Sequence, residues 1–246
     1  MNYLLLSSLL IILISGMGIF FNSFSFNPLQ FTCSNYVLNT YLYLALSLGI
    51  IFATVASLPS FTKFSQFLLS TAGIVTFAIL SFILLFAVIF TNPKNIIRKH
   101  LMYLGLLLTF SFIMYQLYVA NPPLFKEVGI TTTILIVLLV GVSYLYPNLI
   151  GESWGSGLFF ALIGLLIARL VELIFIGTNN LGYHSTFSRI VTYLGIGLFS
   201  LYLVYDGGKV VRNAEFCKNA DYITESLDLV LDSINLFNNI YLFKQD

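Results

Sequence analysis

The chain alternates long apolar runs with short polar breaks. Each run has roughly 17 to 24 residues, enough for an α-helix to cross the hydrocarbon core of a bilayer. The breaks carry proline, asparagine and paired glycines, residues that interrupt helices where the backbone can bond to water. The pattern predicts an all-α polytopic membrane protein with no strand and no soluble domain. Its eight predicted spans are at about residues 3–21, 39–58, 68–91, 101–120, 128–146, 157–177, 190–206 and 223–243.

Composition supports a membrane protein whose principal partner is the lipid bilayer. Of the 246 residues, 59% are hydrophobic and only 9% are charged, whereas a soluble domain typically carries about 25% charged residues. The net charge of +1 provides no basic surface, so we expect no nucleic-acid partner. The first run lacks a basic leader and a small-residue cleavage site, and we interpret it as a retained span rather than a signal peptide.

Few residues offer catalytic or metal chemistry. Cys33 and Cys217 both lie outside the apolar runs, and no disulfide framework is indicated. His100 and His184 are far apart, in polar segments without cysteine or carboxylate at ligand spacing. We therefore expect no enzyme activity, no cofactor and no firm metal site.

The distribution of Lys and Arg predicts the orientation of the chain in the membrane. With eight spans, the larger group of basic residues shares one side, which the positive-inside rule assigns to the cytosol or matrix. Both cysteines fall on that reducing side, which agrees with free thiols. The larger group is Lys94, Arg98, Lys99, Lys209, Arg212 and Lys218; the opposite side has Lys63, Lys126, Arg189 and Lys244.

The last apolar run carries a line of polar side chains, here called the acidic seam. At about 100° per residue, its members fall within a narrow sector of one helix. A carboxylate inside a membrane costs at least about 2.5 kcal/mol and tends to mark an ion or proton path. A helix lying in the membrane interface, with its acids in water, is the alternative. The acidic seam consists of Asp221, Glu225, Asp228 and Asp232, continued by Asn235 and Asn239.

A further acid, Asp206, ends the penultimate run. The short connection over 207–222 predicts that its two flanking helices are antiparallel neighbours, so Asp206 should approach an acid of the seam. Two carboxylates within a few ångströms cannot both ionise freely and titrate as a unit. Such a pair can share a proton, and when deprotonated it can bind a cation such as Ca²⁺ through oxygen.

Within the run 157–177, Arg169 and Glu172 are three residues apart and hence on one helix face. They are predicted to form an intramembrane ion pair, because a partner so near is the simplest way to neutralise a buried Arg. The alternative is that Arg169 supplies a countercharge to Asp206 or Asp232.

The C-terminal residues resemble a known signature. Tyr205-Asp206, then Asp221-Tyr222-Ile223, then Leu231-Asp232-Ser233-Ile234-Asn235-Leu236-Phe237 resemble the motif of the Bax inhibitor-1 family, the transmembrane BAX-inhibitor-motif proteins. The resemblance covers about residues 39–246 as a Bax inhibitor-1-like membrane domain, leaving 1–30 as an additional N-terminal transmembrane helix and loop. Gly207-Gly208 replaces the family's Thr-Gln, and neither 39–58 nor 68–91 contains Lys or Arg.

The resemblance implies a seven-helix bundle around a central C-terminal helix, in which an aspartate pair closes a pH-sensitive calcium leak. Asp206 and Asp232 match that pair, and Ca²⁺ would be the permeant ion. The missing basic residue in the early helices removes the latch that some members use. We expect an intracellular membrane, either the endoplasmic reticulum or the mitochondrial inner membrane, and the mitochondrial alternative rests on composition.

A structural role is the competing hypothesis. With 24 Phe and 15 Tyr but little charge, the chain also suits a subunit held by other membrane subunits in a larger assembly. In that case the acids of the pore would remain without channel activity.

Overall fold

The computed structural model describes residues 3–26, 29–177 and 181–245. Long helices dominate, and a short antiparallel hairpin follows the first of them. The strands are β1 (Phe24–Phe26) and β2 (Leu29–Phe31). The helices are α1 (Tyr3–Asn22), α2 (Tyr36–Ser57), α3 (Thr62–Leu68), α4 (Thr71–Phe90), α5 (Ile96–Ala120), α6 (Pro122–Leu145), α7 (Gly155–Gly177), α8 (Leu181–Glu215) and α9 (Tyr222–Gln245).

Every predicted span corresponds to one of these helices, and the prediction of an all-α polytopic membrane protein is confirmed. Among the described residues, seven helices are long and apolar enough to cross a membrane. The final helix α9 is not among the seven, because the acidic seam lowers its hydropathy. Side chains such as Phe82 and Phe86 of α4 are exposed, as expected for a surface that contacts lipid rather than water.

The secondary structure differs from the sequence prediction at several positions. The hairpin was not predicted, and the short helix α3 precedes α4 as a separate element. Helix α8 continues through Gly207-Gly208 to Glu215, so Asp206 lies inside a helix rather than at its end. The glycine has a packing reason: a Cβ at Gly208 would come within 2.6 Å of the Pro147 carbonyl oxygen. Because α5 and α8 are longer than predicted, both histidines lie on helices rather than in polar loops, His100 on α5 and His184 on α8.

The chain forms two compact units, and the first comprises residues 1–122 and 214–230. Here α1 packs closely on α2, where a Cβ at Gly49 would meet Ile12 at 3.0 Å. Hydroxyl groups connect α2, α5 and the first half of α9. The Tyr103 hydroxyl lies 2.7 Å from Ser47 Oγ and 3.2 Å from Ser226 Oγ, and all three residues are buried.

A disulfide joins Cys33 to Cys217 in this unit, with their Cα atoms 5.9 Å apart. The prediction of free thiols is therefore wrong. The cysteines are 184 residues apart in sequence, but the hairpin and the segment before α9 bring them together. Disulfides persist in oxidising compartments. The disulfide therefore favours an oxidising compartment for this end of the protein, whereas the Lys/Arg bias favours the reducing cytosol or matrix.

The second unit comprises residues 123–213 and 231–246, and contains α6, α7, most of α8 and the second half of α9. Aromatic packing connects α6 and α9, with the rings of Phe125 and Phe237 centred 4.9 Å apart. Leu203 of α8 and Leu236 of α9 are completely buried. Lys244 and Glu127 add an ion pair of 2.5 Å near the end of the chain.

Helix α9 is enclosed by protein along most of its length. No residue from Asp221 to Tyr241 is exposed, whereas only 17% of the most apolar window of α1 or α4 is buried. An interfacial helix would present its polar face to water. The burial of α9 thus favours a seam surrounded by protein.

Candidate functional site

The acidic seam begins with Asp221, which caps the N-terminus of α9. One of its carboxylate oxygens accepts a bond of 3.3 Å from the Thr224 amide, and the other accepts one of 2.9 Å from the Thr224 hydroxyl. Lys99 Nζ lies 2.5 Å from Asp221 Oδ2 and is completely buried, while 23% of the Asp221 side chain is exposed. Lys99 also donates to the Thr91 carbonyl at 3.2 Å.

Sequence reasoning missed this ion pair, because it assigned Lys99 to a loop and began the span at residue 101. Helix α5 begins five residues earlier, at Ile96, and its first turns carry Lys99 inward. The turn-forming Asn92-Pro93 before Ile96 was the available signal for the earlier start. Helices α2 and α4 contain no Lys or Arg, but α5 supplies Lys99 to the first acid of the seam.

Glu225, one turn beyond Asp221, lies close enough to Tyr36 to act electrostatically on its hydroxyl. Tyr36 is the first residue of α2 and is buried. The seam's first two acids thus contact two different helices of the first unit, α5 and α2.

Around these acids, buried tyrosines complete a polar network in the first unit. The Tyr222 hydroxyl donates to the Thr32 carbonyl and accepts a bond of 3.2 Å from Asn39 Nδ2. His100 Nδ1 bonds to the Ile96 carbonyl at 2.8 Å, so this nitrogen carries the proton and Nε2 accepts from the Tyr43 hydroxyl, also at 2.8 Å. The prediction that His100 lies in a polar loop is wrong, because His100 belongs to α5, which places it against α2.

Asp206 on α8 and Asp232 on α9 both belong to the second unit and are both buried, with 9% and 7% of their surface exposed. Both carboxylates are close enough to act electrostatically on the Tyr202 hydroxyl, one turn before Asp206. Direct contact between the two carboxylates remains a prediction. Asp228, in the first unit, is half-buried, as is Asn235 in the second.

Arg169 connects three helices of the second unit. Its Nη1 donates to Glu172 at 2.7 Å, and its Nη2 donates to the Thr192 hydroxyl at 3.2 Å and to Asn239 Oδ1 at 2.6 Å. Glu172 and Asn239 are buried. Among the described side chains, the guanidinium therefore bonds to the last amide of the seam rather than to either aspartate.

In the described part of the chain, no three His, Cys, Asp or Glu side chains gather into a group that could hold a metal ion. Contact of Ca²⁺ with Asp206 and Asp232 remains a prediction, and it concerns a permeant ion rather than a bound metal. The side chain of His184 lies outside the described residues.

Comparison with known proteins adds one match. No curated protein and no solved structure matches the chain. A sequence model described as "Inhibitor of apoptosis-promoting Bax1" matches residues 33–244. The match takes in α2 to α9, with the seam and Asp206, and leaves α1 outside. Since it covers most of the chain, this protein belongs to the Bax inhibitor-1 family.

Proposed function

We propose that this protein is a pH-sensitive cation leak in which Asp206 and Asp232 control the path. One observation carries the proposal. Neighbouring segments of one compact unit supply two buried carboxylates, Asp206 from α8 and Asp232 from α9. Acids within membrane-spanning helices are typical of ion and proton paths.

The chemistry follows from the cost of placing negative charge in an apolar environment. Two nearby buried carboxylates cannot both ionise freely, so a shared proton holds their helices together. When that proton is lost, the pair either separates or binds a cation through its oxygens, and Ca²⁺ prefers such ligands. Protonation thus favours the closed path and deprotonation favours entry of Ca²⁺.

Charged and polar contacts hold each end of α9 within its own compact unit. Lys99 neutralises Asp221 at the beginning of α9, in the first unit. Arg169 bonds to Asn239 near the end of α9, in the second unit, which also contains Asp206 and Asp232.

Calcium flux into liposomes containing the purified protein tests the proposal. The double variant Asp206→Asn with Asp232→Asn should lose the pH dependence of flux, because neither amide titrates. The matched control is Glu215→Gln, which removes an exposed acid from α8 and should leave the pH profile unchanged. A pH profile that survives the double substitution would reject this mechanism.

A structural subunit is the second proposal, and α1 favours it. This helix lies outside the family match and exposes most of its apolar side chains, including Leu13 and Ile14. Other membrane subunits would cover that surface in an assembly of the endoplasmic reticulum or the mitochondrial inner membrane. Copurification in fixed stoichiometry, lost when α1 is deleted, would support a subunit; a stable monomer with calcium flux would exclude it.

A further inference from the structure

A cavity of about 320 Å³ lies within the first unit, beside the disulfide. Three segments form its walls: the end of the hairpin at residues 31–33, the turn before α5 at 93–94, and the connection before α9 at 218–220. Its volume suits a small polar group rather than a large ligand. The network of the acidic seam does not account for this space.

The charge of the cavity is positive. Lys94 and Lys218 both line it, both are exposed, and neither has a carboxylate partner among the described residues. Of the two acids three residues from Lys218, Asp221 binds Lys99 at 2.5 Å, and Glu215 forms no ion pair with Lys94 or Lys218 among the described residues. Two lysines therefore face a shared space with their charges available to a ligand.

The backbone strengthens this positive character. Helices α2, α5 and α9 begin at Tyr36, Ile96 and Tyr222, each within a few residues of a wall of the cavity. The N-terminus of a helix carries a partial positive charge and unpaired amides, a combination that binds phosphate. No side chain caps the amides of α2 or α5.

One buried polar atom in the wall lacks a partner. Thr32 lines the cavity, and its hydroxyl is buried without a hydrogen bond in the described structure. The Thr32 backbone is held in place, since its carbonyl accepts from the Tyr222 hydroxyl. An unpaired polar atom of this kind marks a place where the protein itself does not fully satisfy the wall.

The disulfide preorganises the site. Cys33 belongs to the first wall and Cys217 immediately precedes the third, so their bond fixes the distance between the two. A rigid cavity loses little conformational freedom when a ligand enters.

We propose that this cavity binds the phosphate group of a ligand, either the headgroup of an anionic phospholipid or soluble phosphate. The site is independent of the aspartate pair and of ion conduction. Phe31 and Pro93 give the cavity an apolar portion beside its lysines, and basic pockets at helix ends are suited to lipid headgroups.

The experiment uses the full-length protein and two probes. Native mass spectrometry measures binding of phosphatidylglycerol against phosphatidylcholine, and thermal unfolding measures stabilisation by inorganic phosphate against chloride at equal ionic strength. The test variant is Lys94→Gln with Lys218→Gln. The matched control, Lys63→Gln with Lys126→Gln, removes two exposed lysines outside the cavity. A third variant, Lys94→Arg with Lys218→Arg, keeps the charge.

For a lipid site, the test variant should bind phosphatidylglycerol roughly thirtyfold more weakly, while the control and the arginine variant keep their affinity. For a soluble anion, the same variant should lose stabilisation by phosphate, and phosphatidylglycerol should show no preference over phosphatidylcholine. The proposal is overturned if neither probe binds the parent protein, or if the control variant weakens binding as much as the test variant.

Discussion

The buried ion pair between Lys99 and Asp221 allows a sharp test of how α9 is held. The two partners are unequally buried, since Lys99 is completely buried and 23% of the Asp221 side chain is exposed. Asp221→Asn removes the negative charge but keeps a good N-cap residue, so the substitution isolates the ionic interaction. Lys99→Met removes the positive charge and keeps the length of the side chain.

The burial predicts that the two single variants differ. Removing one partner of a buried pair typically costs about 3–5 kcal/mol, because the other charge stays buried without compensation. Asp221→Asn should reach that range, since Lys99 has no access to water. Lys99→Met should cost less, about 1–3 kcal/mol, because water reaches part of the Asp221 carboxylate and screens it.

Chemical unfolding in detergent, with both single variants and the double variant, measures these differences. The double variant should be more stable than Asp221→Asn alone, because it leaves no buried charge. The reasoning is refuted if Lys99→Met is the more harmful single change, or if the two costs simply add.

Three further predictions concern packing and covalent connection. On α8, a Cβ at Gly195 would lie 2.3 Å from the side-chain amide of Asn239, which Arg169 binds, whereas a Cβ at Gly197 would meet nothing within 4 Å. Gly195→Ala should therefore lower the free energy of unfolding by about 1–3 kcal/mol. An equal effect of Gly197→Ala would contradict this packing. Arg169→Leu should lower the melting temperature, because Glu172 loses its charged partner; an unchanged melting temperature would argue against the network. Reduction should alter mobility on a denaturing gel, and Cys33→Ser with Cys217→Ser should cost up to about 5 kcal/mol because a long loop is opened; identical mobility before and after reduction would show that the cysteines are free.

Hydropathy predicts the membrane-crossing part of each helix well, because the cost of burying charge in lipid dominates that part. It predicts helix ends poorly, since a helix continues into water whenever its backbone bonds are satisfied. The residues before 101 and after 206 illustrate this. Polar residues limit the predicted spans to 101–120 and 190–206, yet α5 begins at Ile96 and α8 continues to Glu215.

For the candidate site as well, only the features that depend on a single helix could be predicted from the sequence. Regular spacing identifies the acidic seam as one face of a helix, because only one helix is involved. The partners of the seam come from other helices and cannot be read from local sequence. Lys99 is 122 residues from Asp221, and Asn239 is 70 residues from Arg169. The bond between Cys33 and Cys217 depends likewise on tertiary structure.

The division of α9 between the two compact units has a consequence for biogenesis. Residues up to 230 complete the first unit and those from 231 complete the second, so a nascent chain lacks part of both units until α9 has been synthesised. The acids also make α9 a poor substrate for insertion by hydrophobicity alone. Its entry into the bilayer therefore depends on helices that were inserted before it, and truncation ahead of α9 should expose the incomplete protein to quality-control proteases.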